Sequence, residues 1–253
     1  MNIEYHKWWS PNLNQDMELN VYGYYGKPVI VFPAQSGRFY DFENFGMVGG
    51  ISSFIEEGKV KLFTVDGVDD QSWANWDAHP ADRAHRHLDY DRYITYEVTP
   101  FIDQHCNHSG QKVLTTGVSM GGYHAANFFF RHPDIFDALI AISGIYSLQM
   151  FVGDYMDENV YHNSPLDYLK NLDDKLLLDQ YRKSQIVVVA GQGAWEDEML
   201  QETLALKAIL DEKKIPAWVD IWGYDVYHDW PWWQKMLPYF LGKIQLNKKT
   251  RKG

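Results

Sequence analysis

A serine lies at the centre of Gly117-Val118-Ser119-Met120-Gly121, the pattern G-x-S-x-G, with a β-like run before it and a helix-forming run after it. A serine on such a sharp strand-to-helix turn has strained backbone angles, and the residues two positions before and after it crowd together, so both must be very small. The turn directs the first N–H groups of the helix at the serine oxygen, so we expect the Met120 N–H to be an oxyanion donor. The pattern therefore predicts nucleophilic catalysis by Ser119.

A serine hydroxyl attacks a carbonyl only when a histidine accepts its proton, and that histidine needs a carboxylate that fixes its tautomer. In a parallel sheet the partners are expected in the order serine, acid, histidine, each just after a later strand. His228 follows the last predicted strand, and Glu196 and Asp197 follow the strand before it. We expect Glu196 to be the acid and keep Asp197 as the alternative. Asp225 and Asp229 are too close to His228 in sequence to face it readily.

The second oxyanion donor should come from the loop after the third predicted strand, Phe32-Pro33-Ala34-Gln35-Ser36. A main-chain N–H is sufficient for this role, because the side chain does not take part. We therefore predict that the N–H of Gln35, or that of Ser36, completes the oxyanion hole with Met120.

Several potential metal ligands are close in sequence: His79, Asp82, His85, His87 and Asp89. A His-x-His pair can bind zinc, but the two-histidine helix with a water-activating glutamate that marks metalloproteases is absent. We therefore expect no functional metal at these residues. A further group of histidines is expected to be structural or solvent-facing, namely His6, His105, His108, His132 and His162.

Hydrophobic periodicity predicts an α/β fold, a mostly parallel sheet of about eight strands with helices on both faces. The predicted strands are Ile3–Trp8, Met17–Tyr24, Pro28–Ala34, Val60–Asp66, Lys112–Ser119, Phe136–Ser143, Gln185–Gly191 and Pro216–Trp222. The first strands indicate an antiparallel start. The predicted helices are Ile51–Glu57, Tyr90–Val98 with a break before Pro100, Gly121–Arg131, Glu196–Glu212 and Trp230–Leu241.

No repeat or flexible linker divides the chain, so we expect residues 1–253 to form one domain. The irregular stretch 146–184 is expected to be a cap or a long loop, and the loop 67–88 is expected to shape a pocket together with it. Trp195 and Trp230 lie next to the predicted acid and histidine and could form an aromatic wall, although packing in the core is an equal alternative. Tyr123 and His124 are expected to pack against the sheet.

The charge balance limits the possible partners. The 253 residues contain 34 Asp and Glu against 23 Lys and Arg, a net charge of −11, so the chain repels phosphate backbones and anionic lipid. Cys106 is the only cysteine, so no intramolecular disulfide forms. The first fourteen residues carry charges and Trp where a signal peptide needs an apolar run. We expect a cytoplasmic protein that binds neither nucleic acid nor membranes, and self-association stays open.

At these residues the sequence resembles the putative-esterase family of α/β-hydrolases, which includes esterase D-like enzymes, feruloyl esterases and the antigen 85 mycolyltransferases. The resemblance runs from about Pro28 to Leu241. It is carried by Gly117-Val118-Ser119-Met120-Gly121-Gly122-Tyr123, Tyr161-His162-Asn163-Ser164-Pro165 and His228-Asp229-Trp230-Pro231-Trp232-Trp233. It implies a triad of Ser119, Glu196 and His228 without metal or cofactor. The oxyanion segment lacks the usual glycine run, and the acid loop has Glu-Asp where many relatives have one Asp.

The predicted function is a serine hydrolase that cleaves small carboxylic esters through an acyl-enzyme intermediate. Two other functions remain open. The same residues could transfer the acyl group to an alcohol, as an acyltransferase does. The chain could also be a binding protein on a hydrolase fold without turnover, since a fold does not determine function.

Overall fold

The computed structural model describes residues 1–246, and its centre is one eight-stranded β-sheet. The strands are β1 (Ile3–Ser10), β2 (Gln15–Tyr22), β3 (Lys27–Phe32), β4 (Val60–Val65), β5 (Val113–Val118), β6 (Phe136–Ile142), β7 (Gln185–Ala190) and β8 (Trp218–Ile221). Their order is β1-β2-β4-β3-β5-β6-β7-β8. The β1/β2 and β2/β4 pairs are antiparallel and the other pairs are parallel. The carboxyl ends of β3 to β8 therefore lie along one edge of the sheet.

Helices connect the strands and cover both faces of the sheet. They are α1 (Asp41–Asn44), α2 (Met47–Gly50), α3 (Ser52–Glu56), α4 (Pro80–Tyr93), α5 (Thr99–His105), α6 (Met120–Arg131), α7 (Gln149–Val152), α8 (Glu158–Tyr161), α9 (Pro165–Lys170), α10 (Lys175–Arg182), α11 (Asp197–Glu212) and α12 (Trp230–Leu241). A 3₁₀ turn covers Asp69–Gln71, and a π-helical turn covers Ile94–Val98. The stretch 146–184 thus contains four short helices, α7 to α10. No helix among residues 1–246 is long and apolar enough to cross a membrane.

The core consists of apolar layers on the two sides of the sheet. In β7, Ile186 and Val188 face the layer beneath α4–α6 and α9–α11, whereas Val187 and Val189 face the layer beneath α1–α3 and α12. Side chains of a strand alternate between the two faces, so an uninterrupted apolar run is what a doubly covered strand requires. The prediction of a mostly parallel eight-stranded sheet with helices on both faces is confirmed.

The sheet begins with the expected antiparallel strands, and β4 lies between β2 and β3 although these two are consecutive in sequence. One local expectation was wrong. The helix does not break before Pro100. It continues from α4 into α5 through the π-helical turn, where the Thr99 N–H bonds to the Ile94 carbonyl. The wider turn accommodates the proline, which lacks an N–H and would clash with a carbonyl of the preceding turn in a regular helix.

Candidate active site

Ser119 lies at the junction of β5 and α6, at the carboxyl edge of the sheet. Its φ of 56° is in the left-handed region, which a serine adopts only where the surrounding structure enforces it. A Cβ on Gly117 would lie 2.3 Å from the Gly121 carbonyl oxygen, and a Cβ on Gly121 would lie 2.4 Å from that of Phe32. Only glycine fits at either position, so the tight turn and its contact with the end of β3 both depend on the G-x-S-x-G pattern.

His228 follows β8 and reaches the serine across the sheet edge. Its Nε2 lies 2.9 Å from Ser119 Oγ, and its backbone N–H donates to the Ala194 carbonyl at 3.0 Å. The Trp233 ring packs edge-on against the imidazole, with ring centroids 4.9 Å apart at 90°. The backbone hydrogen bond and the contact with Trp233 therefore hold the half-buried imidazole in place, with Nε2 directed at the serine.

The buried carboxylate of Glu196 lies on the other side of His228. Its Oε1 is 3.2 Å from His228 Nδ1 and accepts a hydrogen bond from Ser143 Oγ at 2.6 Å, while Oε2 accepts from the Gly191 N–H at 3.2 Å. Trp233 Nε1 donates in turn to Ser143 Oγ at 3.1 Å. Asp197 is the exposed first residue of α11. The structure therefore brings Glu196 to His228 and leaves Asp197 at the surface.

Two backbone N–H groups near Ser119 are available to a ligand. Within residues 1–246, neither the Met120 N–H nor the Gln35 N–H donates a hydrogen bond. The Ser36 N–H instead faces Asp69 Oδ2 at 3.4 Å. Because Gly121 packs on the carbonyl groups of Phe32 and Pro33, the loop that carries Gln35 begins beside the nucleophile turn. This arrangement favours Gln35 over Ser36 as the second donor.

A buried polar cluster supports α6 beneath this loop. His124 Nε2 lies 2.8 Å from Asp69 Oδ1, and both side chains are almost fully buried. His87 stacks on His124 with ring centroids 5.5 Å apart. Burial lowers the pKa of His87 well below 6.5, and the neighbouring His124 lowers it further. His124 thus both packs against the sheet and pairs with a carboxylate that the sequence did not single out.

The histidines and aspartates of residues 79–89, which were expected to hold no functional metal, have separate structural positions. His79 caps α4 through a hydrogen bond from the Ala81 N–H, His85 is exposed, and His87 is buried. Among residues 1–246, their ligand atoms do not form a group of three close enough to share an ion. The loop expected over residues 67–88 accordingly ends at residue 79, where α4 begins.

Aromatic residues near the site differ in exposure. Trp195 is 83% exposed next to Glu196, whereas Trp230 is half-buried and stacks on Phe45 with centroids 4.3 Å apart. Trp73 is fully buried, and the exposed Trp76 stacks on Phe151 at 5.5 Å. Of these rings, Trp195 is the one with a free face beside the catalytic candidates.

Comparison with known proteins identifies the family of the chain. Residues 10–244 match the model of the family described as "Putative esterase". The chain belongs to this family. It is an ester hydrolase of the serine type, as its sequence predicted. The match spans every strand from β2 to β8 and includes Ser119, Glu196 and His228.

Solved structures share the α/β-hydrolase fold of this esterase. A ferulic acid esterase is 18% identical with a TM-score of 0.75, covering 95% of this chain and 96% of its own. FphF, a fluorophosphonate-binding serine hydrolase of Staphylococcus aureus, is 15% identical with a TM-score of 0.69 and coverages of 98% and 99%. An S-formylglutathione hydrolase from Agrobacterium tumefaciens is 14% identical with a TM-score of 0.72 and coverages of 96% and 95%. No curated protein sequence matches that of the esterase.

Proposed function

We propose that Ser119, His228 and Glu196 form the catalytic triad of this ester hydrolase. The observation that carries the proposal is the continuous contact from Ser119 Oγ to His228 Nε2 at 2.9 Å and from His228 Nδ1 to Glu196 Oε1 at 3.2 Å. The order along the chain is the one expected for α/β-hydrolases. Each of the three residues follows a different strand, namely β5, β7 and β8, and the pairing of these strands fixes the positions of the three side chains relative to one another.

In the proposed reaction, Ser119 Oγ attacks the ester carbonyl carbon while His228 Nε2 accepts the hydroxyl proton. The backbone N–H groups of Met120 and Gln35 bind the oxyanion of the tetrahedral intermediate. His228 then gives its proton to the leaving alcohol as the carbon–oxygen bond breaks, and Ser119 is left acylated. A water molecule repeats the sequence and releases the carboxylic acid. Glu196 holds the Nδ1–H tautomer and stabilises the imidazolium.

The proposed substrate is a small ester, and no metal or cofactor takes part. Structures of the same fold include a ferulic acid esterase and a formylglutathione thioester hydrolase, so aryl esters and thioesters are suitable first substrates. Trp195 offers an exposed ring that could stack on an aryl group. We propose one domain in which the helices of residues 146–184 form a cap over the site.

The remaining proposals concern the environment of the protein. The single cysteine suits a reducing, cytoplasmic compartment, and the net charge of −11 disfavours nucleic acid and anionic membranes as partners. Acyl transfer to an alcohol is the second candidate reaction, because the same acyl-enzyme would serve it. Product analysis with and without glycerol separates the two: a glycerol ester would indicate transfer, and free acid alone would indicate hydrolysis.

The decisive test is labelling with a fluorophosphonate followed by peptide mass mapping. Wild-type protein should carry the adduct on Ser119. The Ser119→Ala variant should lose the adduct and about 10⁴-fold or more of its turnover on an activated ester, because the attacking atom is gone. The His228→Ala variant should label far more slowly. A loss below roughly tenfold in Ser119→Ala, with the protein shown to be folded, would contradict the triad.

A further inference from the structure

A second group of potential ligands lies on the edge strand, outside the proposed active site. Glu4 and His6 are on β1, and His105 is the last residue of α5. Glu4 Oε2 is 3.0 Å from His105 Nε2 and 3.4 Å from His6 Nε2. All three ligand atoms lie within 4.8 Å of one another. One carboxylate oxygen and two imidazole nitrogens therefore converge on a single point between a strand and a helix.

The fold holds these side chains in place. Residues 4 and 6 of a strand point to the same face, and their alternating burial in β1 agrees with this. The Phe101 ring contacts both imidazoles, with centroids 4.9 Å from His6 and 5.3 Å from His105. Asn2 Nδ2 donates to Glu4 Oε1 at 2.6 Å and so directs the other oxygen toward the histidines. The ligand atoms are thus positioned before any ion arrives, which lowers the entropic cost of binding.

A second observation distinguishes this group from an ordinary hydrogen-bonded pair. The Nε2 atom of His6 is shielded from solvent and lies 3.4 Å from Glu4 Oε2, but this contact does not have the geometry of a hydrogen bond. A buried polar nitrogen without a partner is costly, so it is expected to have one in the working protein. A cation between the three atoms would satisfy that nitrogen with the same geometry.

We propose that Glu4, His6 and His105 form a Zn²⁺-binding site that joins β1 to α5. Two imidazoles and one carboxylate are a common zinc donor set, and the fourth tetrahedral position would hold water. Asn2 would be the outer hydrogen-bond partner that orients the carboxylate, a usual accompaniment of metal ligands. The net charge of −11 favours cations over anions in general. Lys61 donates to the His105 carbonyl at 3.0 Å, so its charge is engaged by the main chain.

The proposed role is structural. β1 is the outer strand, and β2, β4 and β3 separate it from β5 and Ser119. Zn²⁺ at this edge would tie the first strand to the helix that packs on it, and would stabilise the folded state by mass action. Ester hydrolysis by Ser119 should therefore continue after chelation, while the melting temperature should fall.

The test uses full-length protein stripped with a chelator and titrated with Zn²⁺ by calorimetry. We expect about one equivalent to bind, Tm to rise, and Co²⁺ to give the visible absorption of a tetrahedral site. The variants His6→Gln, His105→Gln and Glu4→Gln should each weaken binding at least about tenfold, since losing even an outer-shell partner has that effect. The matched control is His108→Gln, an exposed histidine three residues beyond His105, which should bind Zn²⁺ as the wild type does.

A measurement on wild-type protein alone removes any dependence on variants that fold poorly. Diethylpyrocarbonate modification, mapped by mass spectrometry, should be slowed by Zn²⁺ at His6 and His105 and unchanged at His108. Absence of Zn²⁺ binding to the wild type, binding that survives all three substitutions, or equal modification with and without Zn²⁺ would overturn the proposal. Ester hydrolysis by each variant provides the check that the fold is intact.

Discussion

Glu196 is a carboxylate with no exposure to solvent, and it depends on protein groups for its hydrogen bonds. Burying an ionised carboxylate is costly unless donors surround it. Ser143 Oγ and the Gly191 N–H supply two of them, and His228 Nδ1–H supplies the third. These contacts leave the carboxylate one orientation, and they select the imidazole tautomer whose Nε2 can accept a proton from Ser119.

The charge on Glu196, rather than that on Asp197, should therefore control the reaction. Glu196→Gln keeps the size of the side chain but allows the other tautomer, with Nε2 protonated, so kcat on an activated ester should fall about 10³- to 10⁴-fold. Asp197→Asn, on the exposed face of the same turn, is the matched control and should stay within about twofold of wild type. Steady-state kinetics with a parallel unfolding curve would check this. A larger loss at Asp197 would reverse the assignment.

Ser119, Glu196 and His228 could be predicted because short sequence patterns mark them. The two glycines and the serine form one motif, and the apolar runs that predict the last two strands identify the loops that must carry the acid and the histidine. Ser143 and Trp233 were missed because nothing near them in sequence marks their role. They reach Glu196 only through the packing of β6 and α12, a contact between positions 90 residues apart.

The elements around Ser119 are linked by one buried contact. Asp69 lies in the 3₁₀ turn after β4, His124 lies on α6, and Ser36 lies in the loop after β3. Asp69 accepts from His124 with one oxygen and faces the Ser36 N–H with the other. The loop that carries Gln35 is thus fixed to the helix that carries Met120, and the two proposed oxyanion donors keep a constant separation.

Loss of the Asp69 charge should loosen this link. We expect Asp69→Asn to lower kcat by about tenfold to hundredfold, because a misplaced donor costs transition-state stabilisation. KM should change less, since the ground state does not carry the oxyanion. Asp77→Asn, an exposed position in the same loop, should leave kcat unchanged. Equal kcat values for the two variants, with Ser119 labelling intact in both, would show that the loop does not depend on Asp69.

Elements were predictable to different degrees. The strands followed from apolar runs bounded by turn residues, and α12 was placed at its observed bounds, Trp230–Leu241. The π-helical turn before Pro100 and the helix that begins at Pro80 were missed. A proline suggests a helix break by its local chemistry, whereas a widened turn is stabilised by tertiary packing. The position of β4 between β2 and β3 likewise depends on long-range pairing that no local pattern encodes.

At the scale of the whole molecule, the sheet separates two cores. The core beneath α4 and α6 encloses His87, an imidazole with no exposure to solvent. His124 and Arg131 on α6, and Tyr90 on α4, face this imidazole. Because this histidine is buried in the core in its neutral form, we expect the free energy of unfolding to fall at acid pH by more than the net charge of the protein would predict.

The direction of this sensitivity follows from the lowered pKa of His87. Below pH 6.5, the ordinary pKa of histidine, the unfolded chain binds a proton at His87 that the folded protein does not bind. The folded state therefore has its full stability above that pH and loses stability as the pH falls. The loss should reach about 1.4 kcal/mol per pH unit. His87→Gln should reduce the slope of the unfolding free energy against pH below about pH 6.5, as measured by urea denaturation. The exposed His85→Gln is the control, and an unchanged slope in His87→Gln would exclude the effect.

The separation of 109 residues between Ser119 and His228 has a consequence for the newly made chain. During synthesis the proposed nucleophile emerges long before the proposed base, which is fixed only after β8 and α12 have joined the sheet. A truncated or half-folded product therefore carries an inert serine and cannot attack esters around it. Recovery of ester hydrolysis during refolding would then measure when β8 joins the sheet, a step that changes the overall secondary-structure content very little.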